Sequence, residues 1–283
     1  MALTWLEGKA VAEAVRAELQ TAIAALPYTP ELAFVRVGED PASVAYVRGK
    51  EKMAQALGIR THLQLLPADS SQAQLMACVA ELNAQPDIDG VLVQLPLPAH
   101  LQAEPVLEAI DPAKDVDGFH PVNVGRLWTG QEALVPCTPE GLVRIMDHYQ
   151  LPIAGQHCVI VGRSNLVGKP AAALFLQRHA TVSLAHSRSQ DVAALTRQAD
   201  ILIAAVGKAA FITADMVKPG AVVLDVGISR IDDKLVGDVA PEVTDVAAYL
   251  TPMPGGTGRV TVAMLMQNTY RAATRRRSES HVQ

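Results

Sequence analysis

The sequence predicts an α/β protein of two domains, each built on a parallel sheet covered by helices. Three observations carry that expectation. Short β-prone runs alternate with helical patterns in two separate series, a stretch rich in Pro, Gly and Asp lies between them, and 49% hydrophobic residues over 283 positions supply apolar material for two ordinary cores. The first series reads as a strand over residues 32–37, a helix over 43–57, a strand over 62–66, a helix over 71–83 and a strand over 90–95. The second begins with a helix over 139–149 and continues as a strand over 158–161, a helix over 170–179, a strand over 181–185 and a helix over 191–198. Strands over 201–206 and 222–226 and a short one at 249–250 complete a parallel, doubly wound sheet of Rossmann type. Residues 111–137 lack periodicity and are the expected boundary, so the domains are set at 1–137 and 138–261; residues 260–275 read as a terminal helix.

Composition narrows the function. The apolar runs are far shorter than the roughly 20 residues of a membrane helix, and the N-terminus lacks a charged-then-apolar signal pattern, so a cytoplasmic protein without a membrane partner is expected. Cys78, Cys137 and Cys158 are odd in number and have no C-x-x-C spacing, which reads as reduced packing thiols and no zinc site. A net charge of −5 argues against a nucleic-acid partner. The one basic cluster, Arg275 to Arg277, reads as a solvated tail at a helix C-terminus.

Residues 159–170 run as an apolar strand, a turn carrying Gly162 and Gly168, and a helix, the setting in which backbone N–H groups and a helix N-terminus hold a pyrophosphate. Ser164 stands where the second glycine of the usual fingerprint would be, and an ordinary tight turn explains the pattern too. The next strand sharpens the reading, because an acidic residue about 20 positions on would mark NAD. No carboxylate precedes Asp191; Ser187 and Arg188 stand there instead, with Arg163 in the first turn, and these groups suit the 2′-phosphate of NADP. Gly207 and Gly227 follow two later strands, where glycine lets a ligand approach the backbone or serves a plain turn.

In the first half, Tyr46 and Lys50 lie four residues apart on one helix face, an arrangement that suits proton transfer in a dry site and equally a lysine stem resting on a ring. Gln94 ends the 90–95 strand, where a parallel sheet opens to ligand, or caps a loop. Asp115 and Asp117 flank a glycine turn with His120 nearby. That set is poor for a metal, so no metal is expected, and Asx capping accounts for one of the two.

Seven stretches in order along the chain resemble the methylenetetrahydrofolate dehydrogenase/cyclohydrolase family: Tyr46-Val47-x-x-Lys50-x-Lys52, Gln94-Leu95-Pro96-Leu97-Pro98, Lys114-Asp115-Val116-Asp117-Gly118-Phe119, Pro136-Cys137-Thr138-Pro139, Val161-Gly162-Arg163-Ser164-x-x-Val167-Gly168, Asp225-Val226-Gly227-Ile228 and Thr251-Pro252-x-Pro254-Gly255-Gly256. The resemblance implies NADP-dependent oxidation of 5,10-methylenetetrahydrofolate and hydrolysis of the methenyl product to 10-formyltetrahydrofolate. It implies Lys50 as the acid/base residue, supported by Tyr46 and Gln94, with Asp117 on the pterin. It places Thr138, Gly162, Arg163, Ser164, Ser187, Gly207, Gly227, Ile228 and Thr261 around the dinucleotide. It further implies a homodimer, a folate cleft between the domains, and a last helix, 262–283, returning to the N-terminal domain. One run departs from the family: Thr257 and Arg259 stand where Val and Pro are usual, which frees φ and adds a positive charge.

Overall fold

The computed structural model describes residues 2–232 and 234–279. Along the chain run β1 (Thr4–Trp5), α1 (Gly8–Ala24), β2 (Glu31–Val37), α2 (Pro41–Ala56), β3 (Arg60–Leu66), α3 (Gln72–Ala84) and β4 (Gly90–Val93). Then come α4 (Ala103–Ala109), α5 (Pro121–Trp128), α6 (Cys137–His148), β5 (His157–Val161), α7 (Gly168–Gln177), β6 (Thr181–Ala185), α8 (Val192–Thr196) and β7 (Ile201–Ala204). The described chain ends with β8 (Val222–Asp225), β9 (Ser229–Ile231), β10 (Lys234–Val236), β11 (Tyr249–Leu250) and α9 (Thr257–Glu279). It packs as two compact units. One takes the chain up to residue 13 with residues 138–261, the other residues 14–137 with the chain from residue 262 on.

The unit of residues 14–137 is built on a parallel sheet of order β3-β2-β4. Its central strand β2 is covered on both sides, which is why its sequence runs apolar without alternation. Ala33, Val35, Val91 and Val93 pack with Leu75, Val79 and Leu82 of α3 in one core cluster. The helices start where local chemistry dictates. Asp40 accepts the Ser43 N–H at 2.8 Å ahead of Pro41 in α2, and Ser71 with Gln74 forms a capping box on α3. The other end of α3 is closed by Lys114, whose buried amine donates to the carbonyls of Leu82, Asn83 and Gln85 at 3.1, 2.7 and 2.6 Å. Burial, seconded by Arg276, lowers that amine's pKa to about 8.

One expectation is filled in here and one is corrected. Residues 111–137, read as aperiodic, contain a helix: Pro121 begins α5, the His120 ring accepts the Val122 N–H, and Asn123 and Leu127 are buried. The arginines near the end of α9 are not a solvated tail. Arg276 and Arg277 pair with Asp89, which has 0% exposure, at 3.2 and 2.8 Å, and Arg277 lies 4.5 Å from the Tyr28 ring centre. A buried carboxylate needs such partners, and stripping one from a buried pair typically costs ~3–5 kcal/mol. Arg275 pairs with Glu132.

The other unit carries a six-stranded sheet, β1-β11-β8-β7-β5-β6, parallel throughout. The chain leaves β5 for β6 on one side and returns at β7 on the other, which places the topological switch between β5 and β7. Strand β1 pairs Thr4 with Tyr249 and Trp5 with Leu250, so the first residues join this sheet and not the unit of residues 14–137, contrary to the 1–137 boundary. Two residues are too few to show a period in the sequence. Strands β9 and β10 form an antiparallel hairpin apart from the sheet, also unforeseen.

Candidate active site

In the unit of residues 14–137, α2 presents Tyr46 and Lys50 one turn apart. The tyrosine is 49% exposed, and the lysine amine donates to Gln94 Oε1 at 3.0 Å. Gln94 directly follows β4, is buried, and spends its own N–H on the Leu95 carbonyl, so its oxygen is committed to the lysine. The structure separates the two aspartates that the sequence left equivalent. Asp115 accepts from Phe119 N, His120 N and Asn123 Nδ2 at 3.3, 2.8 and 2.9 Å and is the turn-capping member. Asp117 has no hydrogen bond among the described residues. Burial pushes its pKa up to about 6, while the Lys50 charge pulls it back down. A carboxylate so placed accepts donors from a ligand.

The loop bearing Asp117 is fixed on both sides. Gly118 has φ +73°, and a side chain there would press on the backbone of Val135 and Pro136. Asn268 of α9, fully buried, donates to Val116 O at 2.9 Å and Val135 O at 2.7 Å. Sequence reading missed Asn268 and Lys114 because their work is done on backbone carbonyls distant in sequence.

In the other unit, the residues singled out by sequence follow the carboxyl ends of neighbouring strands. Gly162 to Ser164 follow β5, Ser187 and Arg188 follow β6, Gly207 follows β7, and Gly227 and Ile228 follow β8. The strands pair in register Val161 with Ala185, Val161 with Ala204, and Ala204 with Asp225. Gly162 has φ +132°, and a Cβ there would strike the Ala205 carbonyl; one at Gly168 would strike the Gly162 carbonyl. Ser164 occupies the second-glycine place because its hydroxyl turns inward, accepting Val167 N at 3.1 Å and Gly168 N at 3.4 Å.

The turn after β6 is tightened by Arg188 N on His186 Nδ1 and His186 N on Ser189 Oγ, which leaves the Ser187 and Arg188 side chains exposed. Arg163 is exposed as well. Asp191 is spent on capping α8 through Ala194 N at 2.8 Å. The surface therefore offers two guanidinium groups and a hydroxyl and no available carboxylate, a donor set that fits a 2′-phosphate. Thr138 and Thr261 share a hydrogen bond of 3.0 Å at the starts of α6 and α9. Thr257, one of the departures from the family pattern, is buried with its hydroxyl on the Asp225 carbonyl at 3.2 Å, and Arg259 points to solvent. Beneath these loops lie the buried carboxylates of Asp225, which sequence reading quoted without a role, and of Asp238, which it missed.

Fold and site together define a dinucleotide-dependent enzyme of the α/β class. Residues 6–117 match the catalytic domain of tetrahydrofolate dehydrogenase/cyclohydrolase, and residues 136–277 match its NAD(P)-binding domain. A curated "Bifunctional protein FolD" of Thermus thermophilus is 53% identical over 277 residues, 98% of each chain, and that of Dichelobacter nodosus is 54% identical over 278 residues, 95% of this chain and 96% of its own. Among solved structures, the bifunctional FolD of Campylobacter jejuni superposes with a TM-score of 0.93 at 42% identity, covering 97% of this chain and 100% of its own. The Trypanosoma brucei FolD, complexed with NADP cofactor and inhibitor, gives 0.92 at 36%, covering 97% and 98%. Shikimate 5-dehydrogenase of Thermus thermophilus, 13% identical with a TM-score of 0.54, shares the fold alone. The chain belongs to the tetrahydrofolate dehydrogenase/cyclohydrolase family and is an enzyme with both activities of that name.

Proposed function

We propose that the chain oxidises 5,10-methylenetetrahydrofolate with NADP⁺ and hydrolyses the methenyl product to 10-formyltetrahydrofolate, using Lys50 for the proton transfers of the second step. The observation that carries this reading is the Lys50 amine held on Gln94 Oε1, with the partnerless Asp117 carboxylate within its electrostatic reach. NADP⁺ supplies the hydride acceptor when bound. For that step the chain aligns and binds: Arg163, Ser187 and Arg188 take the 2′-phosphate, and Gly162, Ser164, Gly207, Gly227, Ile228, Thr138 and Thr261 border the rest of the dinucleotide. Hydration of the methenyl carbon needs more. Lys50 cycles between amine and ammonium: as the amine it takes a proton from the attacking water, and as the ammonium it passes that proton to the departing ring nitrogen, help that is worth ~10²–10⁴ in rate. Asp117 accepts hydrogen bonds from the pterin, and Tyr46 borders it.

Two further readings belong here. The protein works in the cytoplasm, supported by three buried cysteines that form no disulfide and by the lack, among the described residues, of any helix long and apolar enough to cross a membrane. It acts as a homodimer, supported by the exposed Ile231 and Leu235 on the β9–β10 hairpin; light scattering of the purified protein tests this. The function itself is tested by following methenyl-folate formation and its hydrolysis separately, with NADP⁺ and with NAD⁺. A non-catalytic folate-binding protein gives no turnover in either assay, and a dehydrogenase alone accumulates the methenyl product.

A further inference from the structure

We infer that Asp238 is a positioning residue for the dehydrogenase reaction, its buried carboxylate shaping the loop after β7 that meets the cofactor. This rests on the reading of Gly207 and Gly227 as cofactor-bordering positions. Asp238 has 0% exposure, and its carboxylate gathers three successive backbone donors: Val206 N at 2.6 Å and Gly207 N at 2.9 Å on Oδ2, and Lys208 N at 2.8 Å on Oδ1. Consecutive N–H groups turned to one point form an anion nest. Here the anion comes from inside the protein.

The arrangement continues on both sides. Asp225, at the end of β8, accepts from Gly227 N at 2.9 Å, Asp238 N at 3.0 Å and Val239 N at 3.1 Å, so it fixes the residue that fixes the loop. Among the described residues, backbone N–H groups are the only hydrogen-bond partners of both carboxylates. Glycine is required at two places for them to come this close: a Cβ at Gly227 would enter the Asp238 carboxylate, and one at Gly237 the Asp225 carboxylate. In the other direction, the peptide that gives its N–H through Val206 turns its carbonyl, Ala205 O, onto Gly162. Asp238 thus sets the turn after β7 directly, packs against Gly227 in the turn after β8, and abuts the turn after β5 through one peptide. No ligand contact is needed from Asp238 itself.

The test uses Asp238→Asn, which keeps the shape, halves the acceptors and turns an NH₂ toward N–H groups. We expect the KM for NADP⁺ to rise at least tenfold, affinity for 2′,5′-ADP, which reports the Arg163, Ser187 and Arg188 end, to stay within threefold, and hydrolysis of supplied methenyl-folate to stay within twofold per folded molecule. A parallel loss of both activities with a lowered melt means a merely structural role and overturns the inference. Ile228→Asp is run alongside to check the cofactor face. If it raises the NADP⁺ KM while Asp238→Asn does not, the positioning role fails and the cofactor reading stands; if neither variant changes that KM, both fail. Should Asp238→Asn not fold, Asp225→Asn is read the same way, a selective rise in NADP⁺ KM supporting the inference and a parallel loss or no change overturning it.

Discussion

The two units hold their sites by different means. In the unit of residues 14–137 the chemistry rests on side chains: an amine, an amide, a carboxylate and a phenol project from α2, the end of β4 and the 115–118 loop. In the other unit the crevice face is mostly backbone, glycine turns closed by Ser164 and by carboxylates that never reach the surface. The contrast follows the chemistry. Moving a proton requires a titratable group at a given atom, whereas moving a hydride requires two ligands held in line.

The variant expected to have the largest effect breaks the comparison at its centre. Lys50→Met keeps the stem and deletes the amine, so hydrolysis of methenyl-folate should fall by at least ~10² while dehydrogenase activity persists and the methenyl product accumulates. If both half-reactions fall together in a normally melting variant, Lys50 binds substrate instead of moving protons, and the division between the units is wrong.

The next variant probes the backbone side through one of its few side chains. Arg163→Ala removes a charge-assisted contact worth ~1.5–3 kcal/mol, so the KM for NADP⁺ should rise roughly 10- to 100-fold with NAD⁺ little changed. Equal efficiency with both cofactors in the unaltered protein would already contradict the 2′-phosphate assignment.

Asp117 sharpens the comparison through pH. Its pKa stands near 6 because burial outweighs the Lys50 charge, and a pterin donating to it needs the ionised form. Folate affinity should therefore weaken as pH falls below about 6, by about tenfold between pH 7 and pH 5, and Asp117→Asn should bind weakly with a flat profile. Stability runs the opposite way. A carboxyl whose folded pKa is raised stabilises the free protein below the ordinary carboxylate range, and that contribution is lost as pH rises through about 6. Asp225, also raised to about 6 by burial, adds to the same loss. Thermal melts of the ligand-free protein between pH 4 and 7 check the sign, with Asp117→Asn removing its share.

Sequence made the side-chain site readable and left much of its support hidden. Type and spacing drew attention to Tyr46, Lys50 and Gln94 but left plain alternatives open, their roles came from the family resemblance, and the structure joins Lys50 to Gln94. Residue pattern alone did not say which aspartate caps, and only the resemblance singled out Asp117, because the answer lies in three donors to Asp115, two of them backbone. The central strands β7 and β8 were legible because full burial makes them largely apolar runs. Strand β1 and the β9–β10 hairpin were not, being too short for a period to show. Asp238 went unnoticed, and Asp225 stood only as part of a family stretch with no role of its own, since a buried acid and a surface acid are spelled alike. The arginines at 276 and 277 were misread for the same reason: only a partner nearly 190 positions away tells an anchor from a tail.

That anchor bears on how the protein is made. Asp89 sits at the entrance to β4, and its carboxylate is ion-paired with Arg276 and Arg277. During synthesis β4 emerges well before those arginines, so Asp89 lacks both ion-pair partners until residues 276 and 277 have been added. The first β-strand likewise waits for Tyr249 and Leu250 before it has a neighbour. Each unit therefore completes these contacts only after sequence-distant residues are made, and a chain cut before residue 276 should be prey to proteases and chaperones.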